Sequence, residues 1–307
     1  MKKHAYLICA HDNYLFLAKI MKLLDSSHND FYIHINANSS DFDPTIFDNI
    51  LKESKIIILK RFPCRWGDFG VINAQLEFFK TASSTNNYSY YHLLSGTDLP
   101  IKSTETIYRF FEEKKDIQFI HFAKKLPRKI YNEFAYKQIL IGTLNKNYLI
   151  KTFGVICRNI YFFFQKILGI DNVKKNFGIP LKYGSAWWSI TDEFVQYVLS
   201  KEDWIRRCYS QTFNTEESYM QTLIYSSSFN YNTLQRDNDF NCAYRLINWQ
   251  KAKKGSGHPY IWRIDDLETI RKSKAMFARK FDENVDKNII NSIEEFINGG
   301  NNHYEGY

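Results

Sequence analysis

Apolar and polar positions alternate along this chain in two periods. Ala5-Tyr6-Leu7-Ile8-Cys9-Ala10 is an unbroken apolar run of the kind a buried strand carries. His11-Asp12-Asn13 interrupts it and can cap the next element, in which Leu15, Leu17, Ile20, Leu23 and Leu24 recur near helical spacing. Asp30-Phe31-Tyr32-Ile33-His34-Ile35 then reads as a second strand, so strand, helix and strand fit within 36 residues. That is the spacing of a parallel βαβ unit. The alternation continues with a strand at 56–59, a helix at about 70–83, a strand at 88–94, a helix at 104–113 and a strand at 117–120. It predicts an α/β fold, a mainly parallel central sheet with helices on both faces. Ligands of such sheets lie at the carboxyl ends of the strands. The residues there are Cys9 to His11, Asn36, Trp66-Gly67 and Thr97-Asp98.

The stretch from Lys124 to Lys182 breaks the pattern. It holds twelve Lys or Arg and only two acids, Glu133 and Asp171, together with Tyr148-Leu149-Ile150 and Ile160-Tyr161-Phe162-Phe163-Phe164. A basic, aromatic helix here can lie on an anionic membrane surface. It can also be a core helix with a solvated basic face, and this second reading is preferred.

Composition narrows the choices. The 307 residues carry a net charge of +8, which fits nucleic acid, an anionic membrane or a phosphorylated substrate. The basic residues gather at 124–182 without a nucleic-acid motif, so no nucleic-acid partner is expected. The aromatic content of 17% suits stacking on sugar rings and equally a thick core. Cys9, Cys64, Cys157, Cys208 and Cys242 are odd in number and scattered, which argues for a reducing compartment. No signal peptide and no spanning helix are expected, so the sequence reads as a cytoplasmic protein able to lie peripherally on the inner face of the membrane.

Familiar cofactor signatures are missing from the sequence: there is no P-loop, no G-x-G-x-x-G after the first strand, no G-x-S-x-G and no H-E-x-x-H. Two D-x-D patterns occur, Asp41-Phe42-Asp43 and Asp237-Asn238-Asp239. Such a pair can hold a divalent ion on a diphosphate. Neither copy follows the fourth strand, where a metal-dependent nucleotide-sugar enzyme needs it.

Six blocks in order resemble the core-2/I-branching glycosyltransferases, a family that includes peptide O-xylosyltransferases. They are residues 5–11 with Tyr32 to Asn36; Arg65-Trp66-Gly67 with Ala74 and Leu76; Leu94-Ser95-Gly96-Thr97-Asp98-Leu99-Pro100-Ile101-Lys102; Gly184-Ser185-Ala186-Trp187-Trp188; Glu217 with Thr222-Leu223; and Phe277-Ala278-Arg279-Lys280-Phe281-Asp282. Residues 124–180 inherit nothing from the likeness. The resemblance implies a single GT-A-like, Rossmann-type domain over 1–298. Its parts are a nucleotide-binding half at about 1–123, an insertion at 124–182 and an acceptor and catalytic half at 183–298. A flexible tail follows at 299–307.

The resemblance also implies an inverting transfer without a metal cofactor, from a UDP-sugar (N-acetylglucosamine or xylose) to a carbohydrate hydroxyl. A surface polysaccharide or lipopolysaccharide acceptor is expected. A carboxylate takes the acceptor proton as the nucleotide diphosphate leaves. Glu217 stands in that place. Neighbours on a helix point about 100° apart, so only one of Glu216 and Glu217 can face a substrate. Arg245, Arg279 and Lys280 are implied ligands of the diphosphate, where Arg binds bidentately and Lys gives a compact charge. Cys9 and Asn36 fall to the uracil, with His11 beside them. The family carries Asp at the position of Asn36, whose carbonyl can still accept the same bond without charge assistance. Thr97 and Asp98 fall under the ribose and diphosphate. Trp66, Trp187 and Trp188 are candidates for sugar contact, with Trp187 and Trp188 serving opposite faces. His258 reads as a loop-bonding residue. The competing enzyme reading is a metal-dependent transferase using Asp237 and Asp239. A non-catalytic sugar-binding protein is disfavoured by the Glu217, Arg245 and Lys280 set.

Overall fold

Strand β1 (Lys3–Ala10) runs through the middle of the molecule because both its faces are apolar. Tyr6, Ile8 and Ala10 enter one core and Ala5 and Leu7 the other, the two-residue period of a strand buried on both sides. The computed structural model describes residues 2–65, 67–143, 147–234, 242–253 and 255–299. β2 (Asn29–Ile35) pairs with β1 in parallel, and β3 (Lys55–Ile58) extends the sheet beyond β2 in the same sense. On the other side of β1 lies β4 (Tyr88–Ser95), again parallel. The chain then enters β5 (Asp98–Pro100), which leaves for a second sheet. The main sheet is completed by β7 (Trp188–Thr191), antiparallel to β4, and by β6 (Phe119–Ile120), antiparallel to β7 and so running in the sense of β4, in the order β3-β2-β1-β4-β7-β6. The small sheet joins β5 to β8 (Arg245–Ile247) and β9 (Phe277–Arg279), in the order β5-β9-β8.

Helices cover both faces, as the alternation predicts. One core takes α1 (Tyr14–Leu23), α3 (Thr104–Glu113), α9 (Leu267–Arg271), α10 (Lys287–Asn298) and the small sheet. The other takes α2 (Gly70–Thr85), α4 (Arg128–Ala135), α6 (Asp192–Ser200), α7 (Glu202–Tyr209) and α8 (Tyr219–Tyr225). Asn13 caps α1 from a left-handed conformation, its Oδ1 accepting from Phe16 N at 3.3 Å. The inward face of α1 is Phe16, Leu17, Ala18, Ile20, Met21 and Leu23, while Leu15 of the expected apolar set is 72% exposed. The expected strand at 117–120 is reduced to Phe119 and Ile120, the residues that meet β7.

The helix α5 (Tyr148–Ile167) corrects the preferred reading of the basic segment. It buries only Gly154 and Gln165, and it turns Leu149, Phe153, Ile156, Ile160, Phe163, Phe164 and Ile167 outward, each more than half exposed. It is therefore not a core helix with a solvated basic face. Its inner side is anchored by polar bonds: the Gln165 carboxamide accepts from Lys137 N at 2.8 Å and donates to Lys137 O at 3.0 Å. The tail expected at 299–307 falls, from residue 300 onward, outside the described residues.

Candidate active site

The carboxyl ends of β1 and β2 open into a cavity of about 650 Å³ whose walls include Cys9, His11, His34, Asn36, Cys64 and Arg65. Three of the expected nucleotide residues are therefore together. Burial pushes the Cys9 thiol up to about 12 and, with Arg61 nearby, holds His34 at about 4, so both are neutral at pH 7. The Cys9 carbonyl accepts from Gly96 N at 3.2 Å, which ties β1 to the turn after β4. Asn36 has a different task from the expected one. Its Oδ1 accepts from Asn38 N at 3.1 Å and Cys64 N at 3.2 Å, and its Nδ2 donates to Cys64 O at 2.6 Å. Both carbonyl lone pairs are spent on the chain, so the Asn36 amide shapes the cavity wall and has no acceptor left for a base.

Trp66 lies outside the described residues, but its neighbour Gly67 shows what the W-G segment docks on. Gly67 has φ +76°, and a Cβ there would fall 2.3 Å from the Phe213 ring, so only glycine fits. Gly67 O accepts from Asn214 N at 3.0 Å, and Asp68 O from Thr215 Oγ1 at 3.3 Å. The segment thus abuts the acidic turn at 215–217.

Where β4 passes into β5, Asp98 is buried and fully engaged. It accepts from Ser95 N at 2.8 Å, Ser95 Oγ at 3.0 Å and Arg279 Nη1 at 2.7 Å. Arg279 Nη1 also bonds Ser95 Oγ and reaches Thr97 Oγ1 at 3.2 Å. Its guanidinium lies over the Trp187 ring, 4.4 Å from the centroid. Asp98, Thr97, Arg279 and Trp187 therefore form one unit, and the register Asp98↔Arg279 between β5 and β9 is what assembles it. Lys280 follows directly, its carbonyl accepting from Trp262 N at 3.0 Å. Among the described residues no carboxylate pairs with its ammonium. His258 lies close enough to Lys280 and Arg279 that burial and their charges lower its pKa.

Two expected ligands are held away from any open surface. Arg245 is 2% exposed, stacked on Phe277 at 4.2 Å. Its Nη2 donates to Trp188 O at 3.1 Å and Ser189 Oγ at 3.0 Å, and Nη1 to Ala243 O at 3.2 Å. Ser189 Oγ in turn meets His92 Nδ1 at 2.8 Å, and His92 Nε2 meets His4 Nδ1 at 3.1 Å. Arg245 thus ends a buried polar chain that runs through β4 and β7, away from the open surface. Trp188 is fully buried against Phe79, at 5.6 Å between ring centroids, because the strand alternation turns it inward while Trp187 stays half-buried beside Arg279.

The two glutamates separate cleanly. They occupy a short 3₁₀ turn, Thr215–Glu217, entered through the left-handed Asn214. Glu216 points into the core, where burial, its own neighbour Glu217, Asp68 and Glu133 hold its carboxyl up at about 8. It is neutral at pH 7 and its Oε2 has no partner among the described residues. Glu217 is only partly covered. Burial raises its pKa, the Tyr183 hydroxyl opposes this by hydrogen bonding, and Glu133 adds to it. Glu217 O accepts from Gly184 N at 2.8 Å. Gly184 has no room for a side chain, since a Cβ would sit 1.9 Å from His121 O. Gln221 Nε2 fixes the next residue through Ser185 O at 2.7 Å, and Ser185 Oγ accepts from Trp187 N at 3.3 Å. The loop at 183–187 therefore runs from the partly shielded carboxylate, through Tyr183, to the cationic unit, through Trp187.

Sequence reasoning passed over Tyr183, Ser95 and Arg65 as functional residues. Ser95 and Tyr183 each sit inside or directly before a recognised block, which is the signal that could have found them. Asp237 and Asp239 lie outside the described residues.

Comparison with known proteins gives this geometry a context. The model of the Core-2/I-Branching enzyme family matches residues 4–273. Rat xylosyltransferase 2 is 22% identical over 96% of this chain and 34% of its own length. The bovine (Bos taurus) beta-1,3-galactosyl-O-glycosyl-glycoprotein beta-1,6-N-acetylglucosaminyltransferase 3 is 21% identical over 95% of this chain and 67% of its own. Drosophila melanogaster xylosyltransferase oxt is 21% identical, over 92% and 32%. This chain thus spans about a third of the length of the xylosyltransferases it matches. The apo crystal structure of mouse xyloside xylosyltransferase 1 superposes at a TM-score of 0.39 and 10% identity, over 91% of this chain and 97% of that one, too loosely to inform the site.

Proposed function

The chain belongs to the Core-2/I-Branching enzyme family, and from that premise we propose that it transfers a sugar, N-acetylglucosamine or xylose, from a UDP-sugar to a carbohydrate hydroxyl. The observation that carries this reading is the loop at 183–187, which links a half-shielded carboxylate to a stacked guanidinium. Glu217 takes the proton from the acceptor hydroxyl as that oxygen bonds the anomeric carbon from the face opposite the departing diphosphate, so configuration inverts. Its raised pKa brings its basicity closer to neutral pH than an ordinary glutamate's. Negative charge then grows on the leaving diphosphate, where Arg279 and Lys280 lie fixed in advance; such groups are each worth about 3 kcal/mol of barrier. Trp187 offers its free ring area to a sugar. The cavity at Cys9, His11 and Asn36 receives the nucleoside, with recognition supplied by wall groups other than the Asn36 amide.

A metal-independent reaction is favoured by Asp98. Its oxygens accept from Arg279 and Ser95, so this buried carboxylate already carries a cation supplied by the chain itself. Surface polysaccharide or lipopolysaccharide remains the proposed acceptor class. The deciding experiment is a donor screen with purified protein, reading UDP release with and without a chelator. Release from UDP-N-acetylglucosamine or UDP-xylose that survives chelation is expected. No release from any sugar nucleotide overturns the transferase reading, and loss on chelation transfers the diphosphate to a metal at Asp237 and Asp239.

A further inference from the structure

We propose that α5 docks the protein onto an anionic lipid surface, with its apolar side among the acyl chains and the surrounding lysines among the headgroups. The inference stands apart from the transferase reading. It starts from the inverted burial of this helix: what faces the protein is Gly154 and Gln165, and what faces out is apolar. At about 100° per residue, Leu149, Phe153, Ile156, Ile160, Phe163, Phe164 and Ile167 fall within an arc of about 100°. Leu168 and Ile170 continue the exposed apolar surface beyond the helix end. A water-facing stripe of this length is the signature of an occupied surface. Among the described residues no helix is both long and apolar enough to cross a membrane, so α5 lies on one.

Charge selects the occupant. Residues 124–182 carry twelve Lys or Arg against two acids, +10, while the whole chain carries 41 against 33, +8; the rest of the molecule is therefore −2. The positive excess of the chain lies in this segment, and Arg128, Lys129, Arg158 and Lys166 gather beside the stripe. Lys124, Lys125, Arg128, Lys129, Lys137 and Lys166 are all exposed. The two acids offset only a small part of this charge: Asp171 pairs with Lys174 at 3.9 Å and accepts from the Tyr131 hydroxyl at 2.8 Å, and Glu133, on the wall of the cavity between α4 and α5, accepts from Asn214 Nδ2 at 2.9 Å. Beside the stripe, a cavity of about 750 Å³ lies between α4 and α5, lined by Arg128, Lys129, Arg158 and Lys166, cations suited to a phosphate headgroup. A second copy of the chain is the poorer occupant, because a symmetric contact would press two strongly basic surfaces together.

The test is cosedimentation of the whole chain with vesicles of phosphatidylcholine plus phosphatidylglycerol, against phosphatidylcholine alone. Two variants accompany it: Ile156→Ser/Ile160→Ser/Phe163→Ser, and Lys129→Glu/Lys166→Glu. All five positions are exposed, and an unchanged thermal midpoint verifies folding. Expected is binding to the anionic vesicles that is at least about tenfold weaker on the neutral ones, falls with salt, and falls at least about tenfold in each variant. The proposal is overturned if wild type stays in the supernatant with anionic vesicles, or if the serine variant binds as wild type does. It is equally overturned if the wild-type chain sediments without lipid as a dimer that the serine variant dissolves.

Discussion

Arg279 holds Asp98 at 2.7 Å while its guanidinium lies 4.4 Å from the centre of the Trp187 ring. One side chain thus joins the β4–β5 turn, β9 and the loop that leads to Glu217. Removing it leaves Asp98 buried and without its cation. Arg279→Ala is expected to cost about 3 kcal/mol of folding stability, and Arg279→Ala/Asp98→Asn to recover a measurable part of that by urea denaturation. Full additivity of the single variants would show that the two do not act as a pair.

Lys280 and Arg245 should separate in nucleotide binding. By isothermal titration, Lys280→Ala is expected to weaken UDP by roughly tenfold or more, from the loss of one charge-assisted contact, and uridine little. Arg245→Lys is expected to lower thermal stability, because it breaks bonds to Trp188 O and Ser189 Oγ. UDP affinity measured well below its melting temperature should stay near wild type. A large loss of UDP affinity in folded Arg245→Lys would bring that residue back to the diphosphate.

Glu217→Gln is expected to lower kcat by about 10² to 10⁴, the usual worth of a general base, with UDP binding retained. The base acts only when ionised. Burial raises its pKa, so the acid limb of the kcat/KM profile should lie above the ordinary glutamate range. Tyr183→Phe removes the hydrogen bond that favours the ionised form and should move that limb to higher pH. A limb that does not move would detach Tyr183 from the base.

Glu216 makes stability depend on pH in the opposite sense to most carboxylates. Its folded pKa is about 8 against 4.5 for an ordinary glutamate. The native state therefore binds the extra proton between those values, and stability falls as pH rises through that window, by up to about 1.4 kcal/mol per pH unit. Glu216→Gln should flatten the fall and be the more stable protein at pH 8, as read from denaturation midpoints between pH 5 and pH 8. An unchanged slope would place the effect elsewhere.

At Gly184 the nearest atom to an added Cβ is backbone, not a mobile side chain. Gly184→Ala is expected to cost about 2 to 3 kcal/mol through forced displacement. Because the displaced loop carries Tyr183 and Trp187, kcat should drop further than stability alone explains, at a temperature where the variant remains folded. A wild-type kcat would show that loop placement is not limiting.

The parallel βαβ core was legible because β1, β2 and β4 are apolar on both faces and are separated by helical-period stretches. The small sheet was not, since strands of three residues carry no usable period and pair only through distant parts of the chain. For the same reason Arg245 and Arg279 looked alike. Each opens or closes a short apolar run, and only the pairing of β9 with β8 and with β5 decides that the first is sealed under Trp188 while the second meets Asp98. Glu217 could be told from Glu216 by family likeness but not by pattern, because a three-residue turn sets their directions. The existence of α5 was visible in outline. Its orientation was not, for the bonds of Gln165 to Lys137 that turn its apolar side outward leave no periodic trace.

The small sheet also sets a timetable. Asp98 and Arg279 are 181 residues apart, so the contact between them waits until all of the intervening chain has been made. On a ribosome, β1 to β4 can pair once residue 95 has emerged, but the cationic end of the site is absent until β9 follows. A nascent or prematurely ended chain that stops short of β9 thus has the cavity at the ends of β1 and β2 without the guanidinium that pairs with Asp98.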